Sequence, residues 1–226
     1  MIAYLEALGF ASVVAATYVL RHSFEKRQFR ALQCQAAQLG LSLIELAKPF
    51  EQVCFRELAI LMPQGSSTQV EDLVQGTVGS RQMLGFNLRA YSSLGEGTTV
   101  TAIVAFQSPC SHLPAFEICL KSVVDRWRST LEHNGASADF DLEPAFKKRF
   151  LLSCRDNIGT HEFFSHERLR RLLQCLDGFQ LKSSPHWLVI ARPGEKIGAS
   201  NLRQLLHAGS EIAACLLDSE PQTNSI

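Results

Sequence analysis

The feature that most constrains the fold of this chain is an apolar run at its start, residues 2–20. Glu6 is the only charged residue in the run, and the part of the run from Ala7 to Leu20 is free of charge. A helix of this length would extend about 28 Å, close to the ~30 Å hydrocarbon core of a bilayer. The run therefore predicts a transmembrane helix. The alternative is a buried N-terminal helix of a soluble protein, since the uncharged part is only about fourteen residues long.

The charges that flank the run predict the orientation of the chain. No lysine or arginine precedes the run, whereas four basic residues follow it closely. These topology-determining residues are Arg21, Lys26, Arg27 and Arg30. Because basic flanks favour the cytoplasmic side, we expect a single-pass inner-membrane protein with its C-terminal part in the cytoplasm. A cleaved signal peptide would instead carry its basic residues before the apolar core.

Charge and cysteine content restrict the expected partners and compartment. The chain has 22 basic and 22 acidic residues, so its formal net charge is zero. A dedicated nucleic-acid-binding protein usually has a basic excess, so nucleic acid is not an expected partner. The 7 cysteines include no C-x-x-C pair, which favours free thiols in a reducing compartment.

The chain is predicted to divide into an anchor with its stalk, a domain and a tail. Helix-favouring residues continue from the apolar run to Gly40, so residues 1–40 are expected to form the membrane anchor and a basic juxtamembrane stalk. Residues 41–218 are expected to form a cytoplasmic α+β domain, and residues 219–226 a disordered tail. The sequence leaves open whether anchor and stalk form one helix, and how residues 47–69 fold.

Alternating and β-branched segments predict an antiparallel sheet. Residues 70–78, 84–91 and 98–106 are three consecutive strand candidates, which indicates a meander. The second candidate has the period-two pattern of a half-buried strand, and the third is apolar on both faces, as in a central strand. Further strands are predicted at residues 41–46, 116–120, 150–154, 179–182 and 187–192.

Two leucine-rich stripes at helical spacing predict amphipathic helices that cover this sheet. The first helix is expected to begin at the N-cap Ser165 and to end at Gly178, and Ser200 is expected to cap the second. The stripes consist of Leu169, Leu172, Leu173 and Leu176 in the first helix and Leu202, Leu205, Leu206, Ile212 and Leu216 in the second. The predicted fold class is α+β, with an N-terminal transmembrane helix before the sheet.

From Phe116 onward, the order of motifs resembles a bacterial protein family of unknown function. A strand that begins Phe-Glu is followed by an acidic-aromatic segment at residues 139–143 and an F-x-x-R-F-x-L segment that begins at Phe146. A tryptophan-containing strand that ends in Arg-Pro-Gly at Gly194 completes the pattern. Members of the family have one N-terminal membrane helix and a cytoplasmic α+β domain, so the resemblance implies this topology and no particular activity.

Three short motifs resemble catalytic or metal-binding signatures but have the wrong spacing. His161 and His166 are five positions apart, about 140° around a helix, whereas a zinc-binding H-E-x-x-H motif places both imidazoles on one face. Cys110 and His112 could meet as a nucleophile pair only in an unusual turn. The Gly-x-Gly segment at Gly95 precedes a strand, whereas a phosphate loop opens a helix. No metal site and no cofactor are therefore predicted.

The best candidate site in the sequence is acidic. Asp139, Asp141 and Glu143 alternate with Phe140 and Leu142, so on a strand the three carboxylates would share one face. Such a face could bind a cation or supply paired acids, and the alternative is a solvated edge with the apolar residues buried. We predict a membrane-tethered interaction or scaffold module whose partners are the lipid bilayer and another protein. The alternative function is a membrane-anchored enzyme with this acidic site.

Overall fold

The computed structural model of the protein describes most of the predicted domain and the helix before it. The described residues are 2–44, 67–91, 98–108, 113–121, 136–137, 144–154 and 157–218. In the first of these stretches, the side chains are described from Thr17 onward.

The described residues form an α+β fold, which confirms the predicted class. The helices are α1 (Ile2–Gln38), α2 (Pro144–Arg149), α3 (Asn157–Phe163), α4 (His166–Cys175) and α5 (Leu202–Leu217). The strands are β1 (Ser42–Ile44), β2 (Ser67–Val78), β3 (Arg81–Tyr91), β4 (Thr98–Gln107), β5 (Phe116–Leu120), β6 (Ala136–Ser137), β7 (Phe150–Cys154), β8 (Gln180–Ser183) and β9 (Trp187–Pro193).

The described strands belong to one antiparallel sheet with the order β1-β2-β3-β4-β9-β8-β5-β7-β6. The strands β2, β3 and β4 are neighbours both in sequence and in space, which confirms the predicted meander. The hairpin of β8 and β9 joins this meander to β5 and β7, because β9 pairs with β4 and β8 pairs with β5. The prediction of β4 as a central strand is also confirmed.

The main core lies between the helices and one face of the sheet, which we call the helical face. Met83, Val104, Phe106 and Ile190 belong to this core. Eight of the nine residues in the two leucine-rich stripes are buried there: Leu169, Leu172, Leu176, Leu202, Leu205, Leu206, Ile212 and Leu216. The remaining residue, Leu173, is partly buried beside them. The prediction that amphipathic helices cover the sheet is therefore confirmed.

The strand β3 differs from its prediction, because it is buried on both faces. Its leucines and Phe86 join a second apolar cluster on the opposite face of the sheet. On the helical face, Gly85 and Asn87 occupy positions that look polar in the sequence. Asn87 is 0% exposed, and the segment after β9 packs here, with Ile197 Cδ1 3.5 Å from the place of a Cβ on Gly85. Local alternation could not reveal this distant covering segment.

One of the two predicted helix caps is confirmed and the other is wrong. Ser165 is the N-cap of α4, and its Oγ accepts a hydrogen bond from the backbone N–H of Arg168 at 3.2 Å. The N-cap of α5 is Asn201 rather than Ser200. The Asn201 side chain accepts a hydrogen bond from the Gly198 N–H and donates one to the Lys196 carbonyl, both at 2.9 Å. The Asn201 side chain therefore holds the turn before α5 and makes no capping hydrogen bond to the first turn of the helix.

The helix α1 runs without a break from the apolar run into the domain, and it is 37 residues long. It is followed by Gly40, which has a φ of 72° and ends the helical segment near the predicted position. The large apolar side chains between Tyr18 and Phe24 are 61–72% exposed. Leu32 and Ala36, in contrast, are buried in the main core. The C-terminal part of the predicted stalk is thus a structural part of the domain.

The predicted membrane anchor lies in the N-terminal half of α1. The helical conformation expected for residues 2–20 is confirmed. Within the described part of the chain, no helix combines the length and the apolar character needed to cross a membrane.

A close approach of β2 to the end of α1 gives a testable consequence at Gly76. A Cβ on Gly76 would lie 2.5 Å from Leu41 Cδ2 and 3.3 Å from Leu41 Cα. We expect Gly76→Val to lower the free energy of unfolding by about 1–3 kcal/mol, measured by urea denaturation, because Leu41 is buried and has little space to move. The matched control is Thr77→Val at the neighbouring exposed position, with an expected change within about 0.5 kcal/mol. Equal losses in the two variants would contradict this packing.

Candidate functional site

Most candidate residues of the sequence lie outside the described part of the chain, and the two histidines lie on different helices. Asp139, Asp141 and Glu143 lie outside the described residues, and the motifs at residues 95–97 and 110–112 lie outside them as well. His161 is in α3 and His166 begins α4, so the two histidines are not on one helix. Among the side chains that the structure describes, no group of three or more His, Cys, Asp or Glu is arranged to hold a metal ion.

The strongest concentration of polar interactions lies on the helical face near one end of β2 and β3. It consists of Glu71, Asp72, Asn87, Arg89 and Lys196, and we call it the β2–β3 polar cluster. Glu71 and Asn87 are directly opposite in the strand register, and Lys196 comes from the segment after β9. The cluster therefore joins residues that are more than a hundred positions apart.

Asn87 is the buried centre of the β2–β3 polar cluster. Its Oδ1 accepts a hydrogen bond from the Ile197 N–H at 2.6 Å, and its Nδ2 donates to the Ile197 carbonyl at 3.2 Å. The same Nδ2 donates to Asp72 Oδ2 at 2.9 Å. An amide side chain can serve one donor and two acceptors in this way, which an aliphatic side chain of the same size could not. Asn87 thus fastens the segment before α5 to the sheet.

Asp72 has an unusual backbone conformation at a β-bulge. The register of β2 against β3 shifts between Glu71 and Val74, and Asp72 has a φ of 54°. This left-handed region is uncommon for residues other than glycine, although aspartate tolerates it better than most. The bulge places an extra residue in β2, and the Asp72 carboxylate reaches both Asn87 and Lys196, with Lys196 Nζ at 3.1 Å.

Glu71 is held by two bases. Arg89 donates a hydrogen bond from Nε to Glu71 Oε1 at 2.8 Å and another to Oε2 at 3.0 Å. Lys196 Nζ lies 3.7 Å from Glu71 Oε2. The hydrogen bond from Arg89 lowers the pKa of Glu71, and the positive charges of Arg89 and Lys196 add to this effect, although burial opposes it. Glu71 is therefore ionised at neutral pH.

The lowered pKa of Glu71 predicts a pH-dependent contribution to stability. A carboxyl group with a lowered folded-state pKa stabilises the fold above its ordinary pKa of 4.5, and this contribution is lost as the pH falls through the folded-state value. We expect Glu71→Gln to be less stable than the wild type by about 1 kcal/mol at pH 7, with the difference shrinking below pH 4.5. Urea denaturation across this pH range measures it. A constant difference at every pH would contradict the role of the Glu71 charge.

The charges of the β2–β3 polar cluster are paired with one another. Its two carboxylates are balanced by two bases, so it has no unpaired acid to serve as a general acid or base. At the same end of the two strands, Tyr91 is 39% exposed and donates a hydrogen bond from its hydroxyl to Gln69 Oε1 at 3.0 Å. The result is a polar surface with an accessible aromatic ring, which is a common feature of protein interfaces.

The two perturbed cysteines are poor nucleophiles. Burial raises the pKa of the Cys119 thiol far above its usual value, and the negative charge of Glu117 adds to the effect. Burial also raises the pKa of Cys175 to about 12, with a further contribution from Cys215. Since the thiolate is the reactive form, neither residue provides a catalytic thiol at neutral pH.

Sequence reasoning missed the β2–β3 polar cluster entirely. Asn87 and Arg89 appear only as the polar half of an alternating strand, and Lys196 lies in a segment with turn signals. An asparagine between apolar strand residues was the available signal, because asparagine is rare in strands and an interior asparagine needs several partners. The partner of Asn87 could not be identified from the sequence, because the contact between distant segments depends on the tertiary structure.

Comparisons with known proteins support the sheet-and-helix fold. The chain matches no protein-family model, and no curated protein matches it in sequence. Among solved structures, it is similar to the crystal structure of the mycobacterial trehalose monomycolate transport factor A, TtfA, with a TM-score of 0.56. The similarity covers 86% of this chain and 98% of that chain, at 10% sequence identity. Likeness at this identity concerns the fold alone.

Proposed function

We propose that this protein is a membrane-tethered interaction or scaffold module, with residues 2–20 in the membrane and the α+β domain in the cytoplasm. The observation that carries the proposal is the continuity of α1. This single helix begins in the apolar run and ends with Leu32 and Ala36 inside the main core. A domain built in this way is fixed directly to whatever holds its N-terminal half.

Binding is favoured over catalysis by the paired charges of the β2–β3 polar cluster. Glu71 and Asp72 are neutralised by Arg89 and Lys196, and the exposed ring of Tyr91 offers a contact for another protein. The alternative is an enzyme with an acidic site at residues 139–143. That alternative requires carboxylates that act on a substrate, and its candidate residues lie outside the described part of the chain.

The similarity to TtfA favours a narrower second candidate. That protein is a transport factor for trehalose monomycolate, and its fold matches most of this chain. By analogy of fold, the present protein would have a transport-related role at a membrane. The substance transported is not implied by a shared fold.

The topology is tested with a reporter fused after Ile226 that is active only outside the cytoplasm. We expect the reporter to be silent, because Arg21, Lys26, Arg27 and Arg30 all follow the apolar run. A second reporter that is active only in the cytoplasm should give a strong signal in the same fusion. Activity of the first reporter would reverse the proposed orientation.

The interaction function is tested by cross-linking the full-length protein in its own membrane and identifying the linked proteins by mass spectrometry. We expect one dominant partner, and we expect Tyr91→Ala to reduce its capture several-fold, as truncation of an interface aromatic typically does. His207→Ala is the control. His207 is also exposed, but it belongs to α5, a different element from the strand β3 that carries Tyr91. Unchanged capture in Tyr91→Ala would exclude this surface. The absence of any partner together with turnover that requires Asp139 would favour the enzyme.

A further inference from the structure

We propose that Lys26, Arg27 and Arg30 form a binding face for the headgroups of anionic phospholipids. Because this face acts at the bilayer surface, it rests on the proposed membrane attachment. All three side chains are exposed, and among the described residues none of them forms an ion pair with a carboxylate.

The three bases point away from the domain. Successive residues of a helix are about 100° apart, so Lys26, Arg27 and Arg30 lie about 120°, 220° and 160° around α1 from Leu32. Leu32 and Ala36 mark the side of α1 that packs on the domain. The bases therefore share an arc on the opposite side, where the domain does not obstruct their approach to a flat surface.

Arg21 differs from the other three bases in both partner and position. Its Nε lies 3.0 Å from Glu25 Oε1, so its charge is paired within the helix. It also lies within about 20° of the direction of Leu32, on the side of the domain. The four topology-determining bases thus divide into one paired residue and a free face of three.

The distance from the apolar run allows these bases to reach the headgroups. Lys26 follows Leu20 by six residues, about 9 Å along the helix, which is close to one Debye length at physiological ionic strength. Arg30 is about 6 Å further along, so a tilt of α1 towards its basic face brings all three side chains closer to the surface. Membrane helices commonly tilt by about 20°.

Phospholipid phosphates match the chemistry of this face. The guanidinium groups of Arg27 and Arg30 can each donate two parallel hydrogen bonds to one phosphate, and Lys26 adds a point charge. Each base near an anionic surface strengthens attachment, whereas a zwitterionic surface offers no net attraction. Anionic phospholipid is therefore the expected ligand.

The test is the composition of the lipid that stays bound to the protein. The full chain is reconstituted in phosphatidylcholine vesicles that contain about one third phosphatidylglycerol, extracted in mild detergent and purified, and both retained lipids are quantified by mass spectrometry. We expect the ratio of retained phosphatidylglycerol to retained phosphatidylcholine to exceed the ratio in the vesicles about threefold in the wild type. In the variant Lys26→Gln, Arg27→Gln and Arg30→Gln, we expect the vesicle proportion. Equal enrichment in both proteins would overturn the proposal.

A matched variant distinguishes an effect of the basic face of α1 from an effect of the net charge of the protein. Lys147→Gln, Lys148→Gln and Arg203→Gln remove three exposed bases elsewhere and should retain full enrichment. An equal loss in this control would overturn the proposal. Flotation of the wild type with pure phosphatidylcholine vesicles after an alkaline wash tests attachment by itself. A chain that does not float contradicts both proposals, whereas a chain that floats without enrichment contradicts only the lipid-binding face.

Discussion

Leu172→Ala is expected to lower the free energy of unfolding by about 2–5 kcal/mol. Leu172 is 0% exposed, and it lies in the main core at the centre of the inward face of α4. Truncation removes apolar surface from the core and leaves a cavity that closely packed neighbours fill only in part. Urea denaturation followed by circular dichroism measures the change, with the slope of the transition checked to be constant.

A matched control lies two residues further along the same helix. Gln174 is exposed, so Gln174→Ala should change the free energy of unfolding by less than about 0.5 kcal/mol. The two variants share helix, method and chain length, and they differ in burial. Comparable stability of Leu172→Ala and the wild type would show that α4 does not pack on the sheet.

Asn87→Leu is expected to cost about 3 kcal/mol, because it removes all three hydrogen bonds of a fully buried amide. Leucine has a similar size, so the main effect is the loss of partners for the N–H and C=O of Ile197 and for the Asp72 carboxylate. Differential scanning calorimetry and urea denaturation both measure this loss. Hydrogen exchange at the Ile197 amide should accelerate in the variant, because its acceptor is absent.

Asn87→Asp provides a comparison that removes only the Nδ2 donor of the Asn87 side chain. The aspartate keeps an acceptor for the Ile197 N–H but places a second carboxylate beside Asp72, in place of a donor that lies 2.9 Å from it. Repulsion should raise the pKa of the new group, so its destabilising effect should appear as the pH rises above the ordinary carboxyl range. If Asn87→Leu retained wild-type stability, the β2–β3 polar cluster would not hold the segment before α5.

Local sequence patterns were sufficient to predict α1, α4, α5 and most strands, whereas the short helices α2 and α3 were not predicted. The spacing of Leu169, Leu172 and Leu176 depends on one helix alone, and the N-cap Ser165 depends on its own turn. The strands β4 and β9 were recognised in the same way, from runs of apolar residues. These features were predictable because each one is determined by residues within a single element.

The features that the sequence did not reveal depend on contacts between distant segments. Asn87 is buried by Ile197, which is 110 positions away, so its burial cannot be inferred from the alternation of β3. The bulge at Asp72 is a property of the register between two strands and has no local signature. Leu32 and Ala36 belong to a helix whose first half looks like an anchor, and their packing on the domain became evident only with the fold.

The continuity of α1 also gives the helix a mechanical property. It contains no proline, and proline is a common cause of sharp kinks in helices. Leu32 and Ala36 are packed in the main core. A rotation of the apolar half about the helix axis is therefore transmitted along α1 to these two residues. This rotation would act as a torque on the contacts of Leu32 in the core and on the contacts between α1 and β1. The rotation of the N-terminal half about the helix axis is therefore coupled to the rotation of the domain.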